Sequence, residues 1–143
     1  MKYLLIVLSL SVFLVSGCAK NDARLKTEMV EGTIHLDGVP LSEAMIVFHP
    51  LSGSEVASGR SKEDGTFVVS SQNGAIGKGA VIGEYAVTVS KIEVTFSTNA
   101  EGLPSATEGK EQIPSQYLDK EKTPLKVEVK KGKNGITLDL SSK

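Results

Sequence analysis

The residues of this chain able to do chemistry are few and widely spaced. There is one cysteine, Cys18, and there are two histidines, His35 and His49. Glu31 and Asp37 lie near His35 and suggest a sparse metal site on a first strand pair. No third ligand stands at a diagnostic spacing, so the set falls short of a zinc or transition-metal signature. Serines are frequent, but none sits in a G-x-S-x-G elbow. Gly74, Gly77 and Gly79 surround Lys78, yet Lys78 is followed by Gly79 rather than Ser or Thr, which excludes a P-loop. Glu63-Asp64-Gly65 is too short for a calcium loop and reads as a hairpin turn. Lys126, Lys130, Lys131 and Lys133 form a modest basic patch, read as a solvated strand edge or a contact for an acidic glycan or headgroup. No catalytic residue, metal ligand set or cofactor is assigned, and the chain is read as a non-enzyme.

Cys18 stands apart because of what precedes it. Residues 1–17 carry one positive charge at Lys2, then the apolar run LLIVLSLSVFLV, then Ser16 and Gly17. That order describes a signal peptide, and the run is shorter than the roughly 20 residues needed to cross a bilayer. Val15-Ser16-Gly17-Cys18 resembles the lipobox of bacterial lipoproteins. The resemblance implies cleavage before Cys18, a diacylglycerol thioether on its sulfur and acylation of the new terminus, making membrane lipid the first partner. Several acyl chains exceed the two hydrophobic signals that stable anchoring requires. Ala19 follows the cysteine, where Asp would favour inner-membrane retention, so the resemblance places the protein in the cell envelope, toward an outer membrane.

Composition narrows the rest. Of 143 residues 40% are hydrophobic, which argues for a packed domain over disorder. Sixteen Lys+Arg oppose 17 Asp+Glu, leaving no electrostatic footprint for nucleic acid. A single cysteine cannot close an internal disulfide. The absence of Trp weighs against a carbohydrate-binding module that stacks sugars.

Such residues need elements to hold them, and the sequence predicts strands. Residues 19–28 are polar and aperiodic, a tether. Val30, Gly32, Ile34 and Leu36 then share one face of a first strand, and Asp37-Gly38 turns the chain. Ala44, Ile46 and Phe48 alternate with Met45 and Val47 in a second strand, and a weak third covers Val56 to Ser61. Thr66 to Ser71 follows, with Phe67 and Val69 inward. Residues 72–82 are glycine-rich and read as a loop. Gly83 to Lys91 is the clearest strand, with Tyr85, Val87 and Val89 on one face. Residues 97–120 lack a period and read as a long loop. Leu125, Val127 and Val129, then Ile136, Leu138 and Leu140, supply two closing strands. Seven short strands without a convincing helix predict an all-β, antiparallel β-sandwich over 29–143, behind a signal peptide at 1–17 and a lipidated tether at 18–28. Contacts are expected on the loops at 72–82 and 97–120.

The run GTIHLDGVPLSEAMIVFHP, then SGRSKEDGTFVV and GEYAVTVSK, resembles the carboxypeptidase-regulatory-like domain. Gly32, Asp37, Gly38, Pro40, Leu41, Ala44, Gly65, Phe67, Gly83, Tyr85 and Val87 carry the likeness, strongly from Val30 to Lys91. IPSQYLD at 113–119 and the closing KNGITLDL resemble small lipoproteins of planctomycete-type bacteria. The implied fold is a transthyretin-like Greek-key sandwich, and the founding domain is a non-catalytic appendage. Gly38, Pro40, Gly65, Phe67 and Tyr85 are thereby structural: two turns, a fixed φ, and two buried rings, with the Tyr85 hydroxyl reaching backbone. Two activities of related sandwiches are set aside. Hydroxyisourate hydrolase needs a Tyr-Arg-Gly-Ser ending, whereas this chain ends Asp-Leu-Ser-Ser-Lys. A Lys–Asn isopeptide at Asn134 lacks an inward lysine. The expectation is a lipid-anchored binding, scaffolding or structural module with an envelope protein or glycan as partner and no nucleic acid. Its alternatives are a weak hydrolase or metal enzyme using His35 and His49, or a carbohydrate-binding module.

Overall fold

The computed structural model describes residues 26–143 apart from 54 and 72–78. The signal peptide, Cys18 and the tether up to residue 25 lie outside the described residues, as does most of the glycine-rich loop.

The chain is all-β. In order, the strands are β1 (Thr27–Glu28), β2 (Val30–Leu36), β3 (Val39–Pro40), β4 (Met45–Pro50), β5 (Ala57–Arg60), β6 (Thr66–Val68), β7 (Ser70–Ser71), β8 (Ala80–Val81), β9 (Gly83–Ser90), β10 (Ile92–Thr98), β11 (Pro104–Glu111), β12 (Lys126–Val129) and β13 (Asn134–Leu140). A single 3-10 turn, Ser115–Tyr117, precedes β12. One sheet runs β12-β9-β4-β5-β7, and a second joins β13-β2-β3 with β6 also on β2.

Period-two patterning explains why these segments are strands with one buried face. Val30 and Ile34 of β2, Ile46 and Phe48 of β4, Tyr85, Val87 and Val89 of β9, and Leu138 and Leu140 of β13 meet in one cluster. The two sheets therefore enclose a common apolar core, as in a sandwich. Phe48 and Tyr85 pack edge to face at its centre, with ring centroids 5.8 Å apart. The segment Thr66–Ser71 serves both sheets. β6 pairs with β2 and β7 with β5, and fully buried Val69 lies at the crossing, its N–H donating to Val30 O.

Four expectations are corrected. Thr27 and Glu28, expected at the end of a tether, pair instead with Val81 and Ala80. That pairing also converts the end of the 72–82 loop into β8. The sandwich is not wholly antiparallel: β13 runs parallel to β2, from Asn134 opposite Val30 to Leu140 opposite Leu36. The chain reaches β13 from β12 of the other sheet, so it crosses over and need not turn back beside its predecessor. Finally, 97–120 is no plain loop. β10 and β11 form a hairpin closed by Asn99, whose N–H donates to Leu103 O and whose Oδ1 accepts from the N–H groups of Glu101 and Leu103. β11 escapes notice because PSATEGKE has no face that the core covers, so nothing imposes alternation on it.

Candidate interaction surface

The two histidines do not converge. His35 lies on β2 and His49 on β4, strands of different sheets. His35 Nδ1 stands 3.1 Å from Asp139 Oδ1 across the β2–β13 ladder. His49 Nε2 pairs with Thr88 Oγ1 at 2.9 Å. Burial, aided by Lys120, holds His49 below the usual imidazole range. Asp37 faces the C-terminus, where hydrogen bonds from Ser142 lower its carboxyl. Among the described residues no group of three His, Cys, Asp or Glu side chains gathers as metal ligands do.

Of the five residues singled out for structure, Gly38 and Gly65 occupy turns, Phe67 and Tyr85 the core, and Pro40 the exposed strand β3. Asp37 and Gly38 both have positive φ (50° and 81°), the two-residue turn geometry that a tight hairpin needs. Gly65 has φ of 78°, and a Cβ there would lie 2.7 Å from Ile34 O and 3.1 Å from the Pro40 ring. Pro40 pairs opposite His35 at the end of the sheet. Phe67 is buried. Tyr85 is buried, and its hydroxyl donates to Val81 O at 2.7 Å, tying β9 to β8. Burial, with Glu55 nearby, raises that hydroxyl's pKa and keeps it a donor.

The lysines and Asn134 serve the closing turn. Lys130 and Lys133 pair with Glu128 and Glu31 at 3.1 and 2.7 Å. Lys126 is exposed on β12, an outer strand of its sheet. The Asn134 amide accepts from Lys130 N–H and donates to the carbonyls of Lys130 and Gly132. That use of both ends organises the turn.

The unexpected feature is the β10–β11 hairpin. Every residue of β10 is exposed, and Ile92, Val94 and Phe96 alternate into one apolar stripe, with Phe96 77% accessible. Leu103 at the tip is exposed as well. The hairpin is a separate two-stranded sheet, so among the described residues each of its strands has an outer edge without a strand neighbour. Its base is latched by Glu111. Glu111 Oε1 accepts from the N–H groups of Lys91 and Ile113, at 2.8 and 3.0 Å, and Oε2 accepts from the Ser90 hydroxyl. Burial alone would raise this carboxyl, but those donors outweigh it and lower the pKa.

Beside the hairpin runs an open groove of about 480 Å³. Ile92, Val94 and Phe96 line one wall, and Ser42, Glu43 and Arg60 the other. Glu43 holds a left-handed backbone (φ 57°), its N–H bonded to Ser61 O and its carboxylate paired with Arg60 at 3.1 Å. The sequence predicts a strand only as far as Lys91 and contacts on 97–120, so the stripe at 92–96 falls outside both expectations. The available signal was the Ile92-Val94-Phe96 alternation followed by the turn-forming Asn99 and Gly102.

No family model matches the chain, and no curated protein matches it in sequence. Among solved structures, a 9R-lipoxygenase from Cyanothece PCC8801 is similar at 13% identity and a TM-score of 0.38, over 80% of this chain and 16% of that one. The chain spans about a sixth of the lipoxygenase chain, and a likeness at this level carries no argument about fold or activity.

Proposed function

We propose that the protein is a lipid-anchored, non-catalytic binding module of the bacterial cell envelope, built on a seven-stranded Greek-key sandwich of the carboxypeptidase-regulatory-like type. The observation that carries the binding half of this reading is the β10–β11 hairpin. A monomer with nothing to contact gains nothing from an exposed Ile92-Val94-Phe96 stripe, and such patches mark interaction sites. Two further observations support the fold assignment. Counting the bent β6–β7 segment as one strand, seven principal strands run β2, β4, β5, β6–β7, β9, β12 and β13. The positive φ of Asp37, Gly38 and Gly65 and the bond from the Tyr85 hydroxyl to Val81 O support the likeness.

The lone Cys18 after Ser16-Gly17 supports the anchor. β1, where the described chain begins, pairs with β8 beside the Gly83 end of β9, and the hairpin leaves from the Ser90 end. Eight extended residues, about 25 Å, separate the two ends. β1 and the hairpin thus lie toward opposite ends of β9. The rival reading, a hydrolase or metal enzyme using His35 and His49, has its two rings on different sheets with different partners.

Fractionation tests the reading. Wild-type protein is expected in the membrane pellet and Cys18→Ser in the soluble fraction. A photocrosslinker at position 96 is expected to capture one reproducible partner, with none captured from position 137 on the opposite sheet. Membrane pelleting of Cys18→Ser overturns the anchor, and equal capture at both positions overturns the contact surface.

A further inference from the structure

We infer that the outer edge of β10 binds an extended, basic polypeptide segment by strand addition; this rests on the binding-module reading above and names the partner class for its contact surface. The register fixes which backbone groups are on offer. Asn99 N–H bonds Leu103 O, so the pairs that share hydrogen bonds alternate from there as Ser97 with Ser105 and Thr95 with Thr107. The N–H and C=O groups of Val94, Phe96 and Thr98 therefore point away from β11, along an edge with no strand beside it among the described residues. Pro104, opposite Thr98, fits the same alternation, because that position makes no ladder bond to β11's partner.

The edge faces the groove. Val87 N–H bonds Leu125 O on the β12 side of β9, and Lys91 O, of the same parity, accepts from Gln112 N–H. β11 thus continues the β12 side, leaving the outer edge of β10 on the side of β4, β5 and the Ser42, Glu43 and Arg60 wall. An added strand lies in line with β4, with its alternate side chains against Ile92, Val94 and Phe96. Two-stranded hairpins are marginal alone, and proteins ordinarily blunt an edge of this length. Here the edge is left apolar.

Charge selects the occupant. Residues 92–111 hold four glutamates (93, 101, 108 and 111) against one lysine (110), and the rest of the groove lining adds Glu43 against Lys91 and Arg60, so acids still outnumber bases five to three. A second copy would bring the same acidic hairpin against itself, and anionic headgroups would meet like charge. A segment alternating apolar residues with lysine or arginine suits both stripe and charge.

The test uses the full-length protein in detergent and a fluorescent, end-blocked peptide alternating valine with lysine and threonine. Binding is expected to be about tenfold tighter than for the same peptide with glutamate for lysine, and to weaken with salt. Methylating alternate peptide nitrogens should abolish it. Val94→Pro removes an outward N–H while keeping the β11 ladder, and should weaken binding about tenfold with an unchanged unfolding midpoint. Phe96→Ser should weaken it similarly through the stripe. Equal binding of the glutamate peptide, or indifference to both Val94→Pro and backbone methylation, overturns strand addition by a basic segment. A dimer that Val94→Pro dissociates, with no peptide binding, overturns it in favour of a second copy. The position-96 crosslinking result stands independently, so a captured partner with no peptide binding refutes this inference and leaves the binding-module reading intact.

Discussion

Replacing Tyr85 with phenylalanine separates the two jobs of that residue. The ring is buried and packs edge-on against Phe48 at 5.8 Å, and phenylalanine preserves both features. What it removes is one hydrogen bond, the 2.7 Å donation to Val81 O. A neutral hydrogen bond contributes about 1 kcal/mol net. Val81 is only half-buried, so water can reach its freed carbonyl, and the larger penalty for an orphaned buried acceptor does not apply. The expected loss is therefore about 1 kcal/mol, or a fall of about 4 °C in Tm for a domain of this size. Tyr85→Ala also removes the ring and should cost about 3–5 kcal/mol. Urea titration followed by far-UV circular dichroism reads both. Amide exchange should locate the Tyr85→Phe effect at the β1–β8 pair, which the hydroxyl ties to β9. An unchanged midpoint for Tyr85→Phe, or a loss as large as that of Tyr85→Ala, would refute the division between hydroxyl and ring.

Three further outcomes follow from the same geometry. Gly65→Ala forces a Cβ to within 2.7 Å of Ile34 O at φ 78°, and should destabilise the domain by about 2 kcal/mol in thermal unfolding, whereas Gly38→Ala meets no neighbour and should cost less. Glu111 has a lowered carboxyl pKa, so the unfolded chain binds its proton more readily: the latch is complete above the ordinary glutamate value of 4.5 and is lost as pH falls through the lower folded value. Exchange of amides 92–111 should accelerate in that acid window, and Glu111→Gln should accelerate it already at neutral pH. His49 is lowered from 6.5 by burial and Lys120, so folding favours the neutral ring; its contribution is full above pH 6.5 and declines as pH falls through the folded value. Its NMR titration midpoint should lie below 6.5, and His49→Gln should flatten the stability profile there.

The parts of the fold that were legible in the sequence are those where one face of a strand meets the core. β2, β4 and β9 announce themselves because Val30 and Ile34, Ile46 and Phe48, and Tyr85, Val87 and Val89 are buried at every second position. Turns that require positive φ were legible for a different reason, since Asp37-Gly38 and Gly65 leave few other conformations open. β1 and β8 were not, because two-residue strands carry no period. The parallel β13–β2 pairing was hidden as well, being a property of where the chain crosses rather than of any local segment. Ile113 and Tyr117 are buried, the Tyr117 hydroxyl accepting from Ser141 N–H, yet they sit in a 3-10 turn outside any period-two pattern. The contact surface was the least legible element. Exposed on both sides, β11 is free to be polar throughout, and the Glu111 latch is assembled from donors that only the folded hairpin brings together.

Everything proposed about location depends first on the chain being held to a membrane through Cys18. Mass spectrometry of the N-terminal peptide from membrane-extracted protein measures this directly. The account predicts a chain that begins at Cys18 and carries acyl groups on its sulfur and terminal nitrogen. A retained residue 1, or a Cys18 with a free thiol, would contradict it.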